Sequence, residues 1–285
     1  MLREAGKVMS RKKLSPEEWR KLAKDLVLDF LSTHKTAHVR EIKIGLEVEI
    51  FHWITENAIN QLYREGKLRR RTRLFAEKKK ATFYYPEELR YVDVSSLIER
   101  KLPVIAKYTK LSERQERRER LGHLAEDFII SCLIEANYVV VARDTRFFQG
   151  KEWFRRTDLD LIVYGKEEDR WYGVQIKNRL DYPEWDDIAE LMDICNFLGL
   201  TPWLIARYSP KSYNWELIRS GGFVTLFPGR KWLLTDENKE VAELISNEMV
   251  IPVTLPQDLN EFKKDFIREL KRIHGLKVKG GRNDK

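Results

Sequence analysis

The sequence predicts a two-part α/β protein: a small α+β module at the N-terminus, then a larger domain in which a mixed sheet is flanked by helices. Three observations carry that expectation. A length of 285 residues suits about two domains. Lys and Arg outnumber Asp and Glu by 25 to 15 over residues 1–110, whereas residues 111–285 hold 28 against 30. The apolar pattern also changes along the chain, from helices closed by a basic hairpin to clustered strands, a helix and a later strand. The charge asymmetry points to a polyanion-binding module joined to something else.

The first helix is expected over residues 16–33, where Trp19, Leu22, Ala23, Leu26, Val27, Phe30 and Leu31 recur at helical spacing. Ser15-Pro16-Glu17-Glu18 opens it with a capping residue, a proline in the first turn and acids near the positive dipole end. A short second helix covers His38 to about Leu46. A third starts near Thr55, packs Ala58, Ile59, Leu62 and Tyr63, and ends at Gly66. Its other face carries Glu56, Asn57, Asn60, Gln61 and Arg64, side chains able to hydrogen-bond base edges. Two strand-like stretches then flank a lysine-rich tip. Lys67, Arg69, Arg70, Arg71, Arg73, Lys78, Lys79 and Lys80 stand there against one acid, Glu77. Such density suits phosphate contacts. Three helices followed by a basic hairpin resemble a winged helix-turn-helix domain, which sets residues 1–90 as a DNA-binding module. Residues 91–111 read as a linker with a short helix around Val94–Arg100, because Pro103 argues against one continuous helix.

From residue 112 the elements change. A helix from Ser112 to Ala136 bears Leu121, Leu124, Ala125, Phe128, Ile129, Cys132 and Leu133 as its apolar stripe. Strands follow at Val139–Ala142, Asp158–Val163 and Tyr172–Lys177, then a helix at Trp185–Leu198 and a strand at Pro202–Ala206. A short helix near Trp215–Arg219 leads to a last strand at Phe223–Phe227. Three local sequences in this order matter for chemistry: Gly122-His-Leu-Ala-Glu126, Thr157-Asp158-Leu-Asp160, and Val174-Gln175-Ile-Lys177. Period two in a strand puts Gln175 and Lys177 on one face, and Asp158 and Asp160 on one face.

The ordered set resembles the PD-(D/E)xK nuclease superfamily over about residues 112–230, within a core domain set at 112–234. It is most similar to archaeal Holliday-junction resolvases and restriction-type endonucleases. The resemblance implies a restriction-endonuclease-like core. It also implies a Mg²⁺ site, with Mn²⁺ substituting, held by Glu126, Asp160 and Gln175. Asp158, on the same face as Asp160, could be a further ligand, a partner of one or an exposed acid at the strand end. Lys177 would orient or deprotonate the attacking water at a phosphodiester whose transition state gathers negative charge. Gln175 departs from the commoner glutamate and brings no charge to a metal. His123 reads as a surface or capping histidine. Taken alone, Glu126 reads as a surface acid, and Lys177 as an ion-pair partner of Asp160. The expected activity is metal-dependent hydrolysis of DNA in repair, recombination or mobile-element processing. The alternative is a DNA-binding regulator or assembly factor whose nuclease-like core no longer cuts.

Cys132 and Cys195 lie in apolar helical patterns and are expected as free thiols, as in a reducing cytoplasm. Apolar runs stay short of a membrane span, and the N-terminus lacks the apolar segment of a signal peptide. Heavy use of Lys and Glu with little Gln suits a hyperthermophile. Residues 235–285 offer helices at Glu237–Asn247 and Leu259–His274, then a Lys/Gly-rich end over Gly275–Lys285 expected to be disordered. Pairing as a homodimer, or with a recombination or transposition partner, follows from the resemblance.

Overall fold

The computed structural model describes residues 14–76, 79–113, 115–234 and 236–280. The chain divides into two compact units. The first comprises residues up to Ala106 with Glu248–Ile251, and the second holds the rest.

In the first unit, α1 (Pro16–His34) starts at a capping box in which Ser15 and Glu18 satisfy each other's backbone N–H groups. Strand β1 (Ala37–His38) leads into α2 (Val39–Gly45), which opens on a second capping box formed by His38 and Glu41. Burial, with nearby Arg40 and Lys101, holds the His38 imidazole down to about 3. The ring is therefore neutral and its Nδ1 accepts from the Arg40 N–H. Helix α3 (His52–Arg64) buries Thr55, Ala58, Ile59 and Leu62. Tyr63, expected to be packed, instead stays 37% exposed. Strands β2 (Leu68–Ala76) and β3 (Lys79–Pro86) form an antiparallel hairpin with a bulge after Leu74, and β1 adds to its β3 edge. Ala23, Val27, Leu31, Ile42, Ile59 and Leu62 meet in one core.

Helix α4 (Tyr91–Glu113) corrects the expectation of a short helix around Val94–Arg100, for it continues through Pro103. Val94, Ile98, Lys101, Val104, Ile105 and Tyr108 are buried along one stripe, while Pro103 lies on the exposed side. The burial of that stripe outweighs the roughly 3 kcal/mol that an interior proline costs.

The second unit begins with α5 (Gln115–Glu135), followed by β4 (Tyr138–Thr145) and the two-residue strands β5 (Phe147–Phe148) and β6 (Lys151–Glu152). Then come β7 (Leu159–Gly165), β8 (Arg170–Lys177), α6 (Trp185–Leu198), β9 (Thr201–Ala206), α7 (Lys211–Arg219) and β10 (Phe223–Leu226). Helices α8 (Lys239–Glu248) and α9 (Leu259–Gly280) close the chain. Five strands form one mixed sheet in the order β10-β9-β8-β7-β4. β4, β7 and β8 are antiparallel neighbours, while β8, β9 and β10 run parallel.

The alternation of side chains assigns the two faces. Leu161, Val163, Val174, Trp203 and Ile205 pack with α5 and α9, whereas Ile162, Leu204 and Ala206 pack with α6. Each fully buried large apolar side chain contributes roughly 1.5–3 kcal/mol. Helix α6 lies very close to β8, because a Cβ at Gly173 would overlap Cys195 Sγ and lie 2.9 Å from Leu159 Cδ1. Both cysteines are buried and free. Burial raises their thiols, Cys132 to about 11, so neither is a reactive thiolate.

The tail differs from expectation. Residues 275–280 are helical, while 281–285 lie outside the described residues. Phe262, Phe266, Ile267 and Leu270 dock into the core and give the helix a base from which to continue past Gly275. Among the described residues, no helix is long and apolar enough to cross a membrane.

Candidate functional site

Register brings three polar residues into one row across the sheet. Arg143 pairs with Leu161 and Thr145 with Leu159, so Asp144 stands opposite Asp160. Leu161 pairs with Val174, so Asp160 stands opposite Gln175. Lys177 lies two residues further along β8, on the same face as Gln175. Asp158 does not share this arrangement: β7 begins at Leu159, and Asp158 is exposed just before it. The period-two argument for an Asp158/Asp160 pair therefore lapses, since period two holds only within a strand.

The Asp160 carboxylate accepts from Gln175 Nε2 at 3.0 Å and from the Ile176 backbone N–H. Burial pushes its pKa up to about 6, helped by the negative charges of Glu126 and Asp144 and opposed by the Ile176 hydrogen bond and Lys177. Glu126, Asp144 and Lys177 are thus near enough to act on Asp160. Gln175 is only 7% exposed, and it is the amide nitrogen that faces the acid. A neutral amide here satisfies a buried carboxylate that a glutamate would repel.

Glu126 is 8% exposed, so the reading of it as a surface acid is corrected. It is engaged by Arg143, whose Nε and Nη2 lie 3.2 and 2.8 Å from Oε2. Arg143 also reaches Asp127 at 2.6 Å and Asp144 at 3.6 Å. Burial works against the Arg143 charge, but Glu126 and Asp127 outweigh it and raise its pKa. His123 Nδ1 sits 3.3 Å from Glu126 Oε2. Donor atoms of His123, Glu126 and Asp144 lie within 4.8 Å of one another, a spacing that could hold a metal ion. Asp144 reaches its place with φ at +47°, which Asp tolerates better than most residues.

Lys177 pairs with Asp187 of α6 at 3.2 Å rather than with Asp160. Asp187 also binds Arg179. Burial pushes the Asp187 carboxyl up, but Lys177, the Glu184 N–H and Arg179 together hold it below its ordinary value. Sequence reasoning missed Arg143, Asp144 and Asp187. The Arg-Asp pair closing β4 was the one available signal.

The first unit gathers the basic residues. Asn57, Asn60 and Arg64 are exposed on α3, Gln61 is half-buried, and Glu56 is bound by Lys43 at 2.9 Å. Arg69, Arg70, Arg71 and Lys80 are exposed along the hairpin, and Lys79 is half-buried. Lys78 lies outside the described residues. Three of the arginines are braced: Arg70 lies 4.5 Å over the Tyr63 ring and Arg71 lies 4.9 Å over Tyr91. Arg73, half-buried, bonds the Tyr91 hydroxyl and sits 3.4 Å from Glu99. Bracing lowers the entropy lost when a guanidinium meets an anion.

Compared with protein-family models, curated proteins and solved structures, the chain matches none of them.

Proposed function

We propose that the chain is a metal-dependent DNA endonuclease, with a restriction-endonuclease-like core and a winged-helix module that holds the duplex. The observation that carries this reading is the convergence of Asp160, Gln175 and Lys177 on one sheet face, within electrostatic reach of Glu126. A half-buried acid beside two more acids is costly unless it binds a cation. Asp160 supplies a charged oxygen for a divalent ion. Gln175 supplies a neutral one once its amide turns about the Cγ–Cδ bond. A bound Mg²⁺ would neutralise phosphoryl charge and acidify a water. Lys177, held on its face by Asp187, orients that water or stabilises the phosphorane charge. Arg143 already neutralises Glu126, so Glu126 acts through Arg143 unless the guanidinium moves aside.

One observation favours the second reading, a DNA-binding regulator with a silent core. Each acid of the group is already satisfied by the chain itself: Asp160 by Gln175, Glu126 by Arg143 and Asp187 by Lys177. Incubating the purified chain with linear, branched, flapped and single-stranded DNA in Mg²⁺ or Mn²⁺ separates the two. We expect metal-dependent cutting of at least one substrate. Binding without cutting in either metal selects the regulator.

The basic module has its own test. Replacing Arg64, Arg69 and Lys80 with Ala is expected to reduce the slope of log K against log salt by about two to three units, one phosphate contact each. An unchanged slope would mean that these side chains meet no phosphate.

A further inference from the structure

The segment linking β4 to β7 is unlike the rest of its unit. Residues 111–285 carry a slight excess of acid, yet residues 146–156 hold Arg146, Lys151, Arg155 and Arg156 against Glu152 alone. The same stretch keeps large aromatic rings in water: Phe147 is 55% exposed and Phe154 is 73% exposed. Phe197, at the end of α6, is 40% exposed and meets Phe154 edge-on, with ring centres 6.2 Å apart.

These rings are held out rather than left loose. Phe148 and Trp153 are buried in the α6-side core, and β5 pairs with β6. The Trp153 N–H donates to the Arg146 carbonyl at 2.8 Å, and Lys151 Nζ reaches the Phe197 carbonyl at 3.4 Å. On this anchored frame the Arg155 guanidinium lies 5.4 Å from the Trp153 ring centre and 5.6 Å from that of Phe154. Asp193 pairs with Arg155 at 3.4 Å.

We propose that Phe154, Phe197 and Arg155 form a docking site for an unstacked nucleobase of single-stranded DNA. A flat ring offers the face on which any base can stack, and a neighbouring guanidinium adds a second planar partner and attracts the phosphate. Residues 146–156 stay net positive by one charge when the neighbouring α6 acids Glu190 and Asp193 are included, which suits a polyanion more than an ordinary apolar protein contact. Phe197 lies ten residues along α6 from Asp187, the partner of Lys177, roughly 15 Å at the helical rise, so a strand gripped here reaches the carboxylate row a few nucleotides away. The inference rests on the nuclease reading and deepens it: the preferred substrate carries unpaired bases a few nucleotides from the bond to be cut, as at a fork, flap or junction.

The test uses the full chain without divalent metal, so that nothing is cut, and follows fluorescence anisotropy of labelled oligo-dT and of a duplex of equal length. Phe154→Ala is expected to weaken oligo-dT binding by roughly 10- to 100-fold, the loss of one stacked base. Duplex affinity should stay within about two-fold, since stacking needs an unpaired base. Phe154→Trp should retain oligo-dT binding. An unchanged affinity for oligo-dT, or an equal loss on both DNAs, overturns the proposal. So does a change in sedimentation for Phe154→Ala, which would make the patch an interface between copies. If wild type cuts DNA with Mg²⁺ but Phe154→Ala binds oligo-dT normally, only this inference falls. If wild type binds and cuts no DNA, the nuclease reading falls with it.

Discussion

Asp160→Ala is expected to lower metal-dependent cleavage by about 10³-fold or more while leaving duplex affinity within about two-fold. The mutation removes the carboxylate best placed to fix a divalent ion. Several kcal/mol of charge stabilisation at a phosphoryl centre amount to at least three powers of ten. Affinity is spared because the basic residues proposed to meet phosphate lie in the other unit. Folded Asp160→Ala protein that still cuts would show that the centre lies elsewhere. The same carboxyl has a signature independent of cleavage. Its folded pKa of about 6 lies above the ordinary 3.8, so the native state takes up the proton first. The stabilisation this gives is complete below about pH 4 and is lost as pH rises through about 6, on the order of 3 kcal/mol in all. Denaturant unfolding of metal-free protein should therefore show a steeper loss of stability over that window for wild type than for Asp160→Ala. Parallel pH curves would mean that the carboxyl is not buried as described.

Lys101→Met is expected to destabilise the first unit by about 3–5 kcal/mol, a large share of the 5–15 kcal/mol that holds a typical domain together. Lys101 is 6% exposed and Glu41 is fully buried, with Nζ and Oε1 2.8 Å apart. Glu41 is also an acceptor for two backbone N–H groups, His38 at 2.8 Å and Val250 at 3.2 Å. Lys101 in turn donates to the Thr36 carbonyl. Without the ammonium, a carboxylate is stranded in the interior, which costs far more than the pair gains over apolar side chains. Adding Glu41→Gln removes the stranded charge and should recover part of the loss. Urea unfolding followed by circular dichroism reads both. A Lys101→Met protein within about 1 kcal/mol of wild type would show that water reaches this pair.

The elements of the sheet were legible because their signals are local. Asp158–Val163 and Tyr172–Lys177 alternate or run apolar between turn residues, and the helix over Trp185–Leu198 carries an unbroken apolar stripe. Three kinds of feature escaped. Pro103 reads as a stop because a local rule cannot weigh the burial of Val94, Ile98, Val104 and Ile105 around it. Asp144 and Arg143 were passed over because β4 bulges between Val140 and Ala142, which breaks the two-residue period just before the residues that matter. The partners of Lys177 and Glu126 were invisible because they come from other elements, Asp187 on α6 and Arg143 on β4. Sequence spacing placed Gln175 beside Asp160 on adjoining strands. It could not say that the amide would present nitrogen rather than oxygen.

Gly173 takes no part in any chemistry suggested above, yet it sets the gauge between helix and sheet. With no methyl at that position, α6 settles a side chain's thickness nearer β8 than it otherwise could, against Cys195 and Leu159. Asp187 rides on that helix, so its reach to Lys177 is fixed by something missing from a residue four places earlier in the strand. A larger side chain there would act as a shim, lifting the whole helix and detuning the lysine without touching it. The tolerance of the site is thus set by its smallest residue, one that carries no functional group at all.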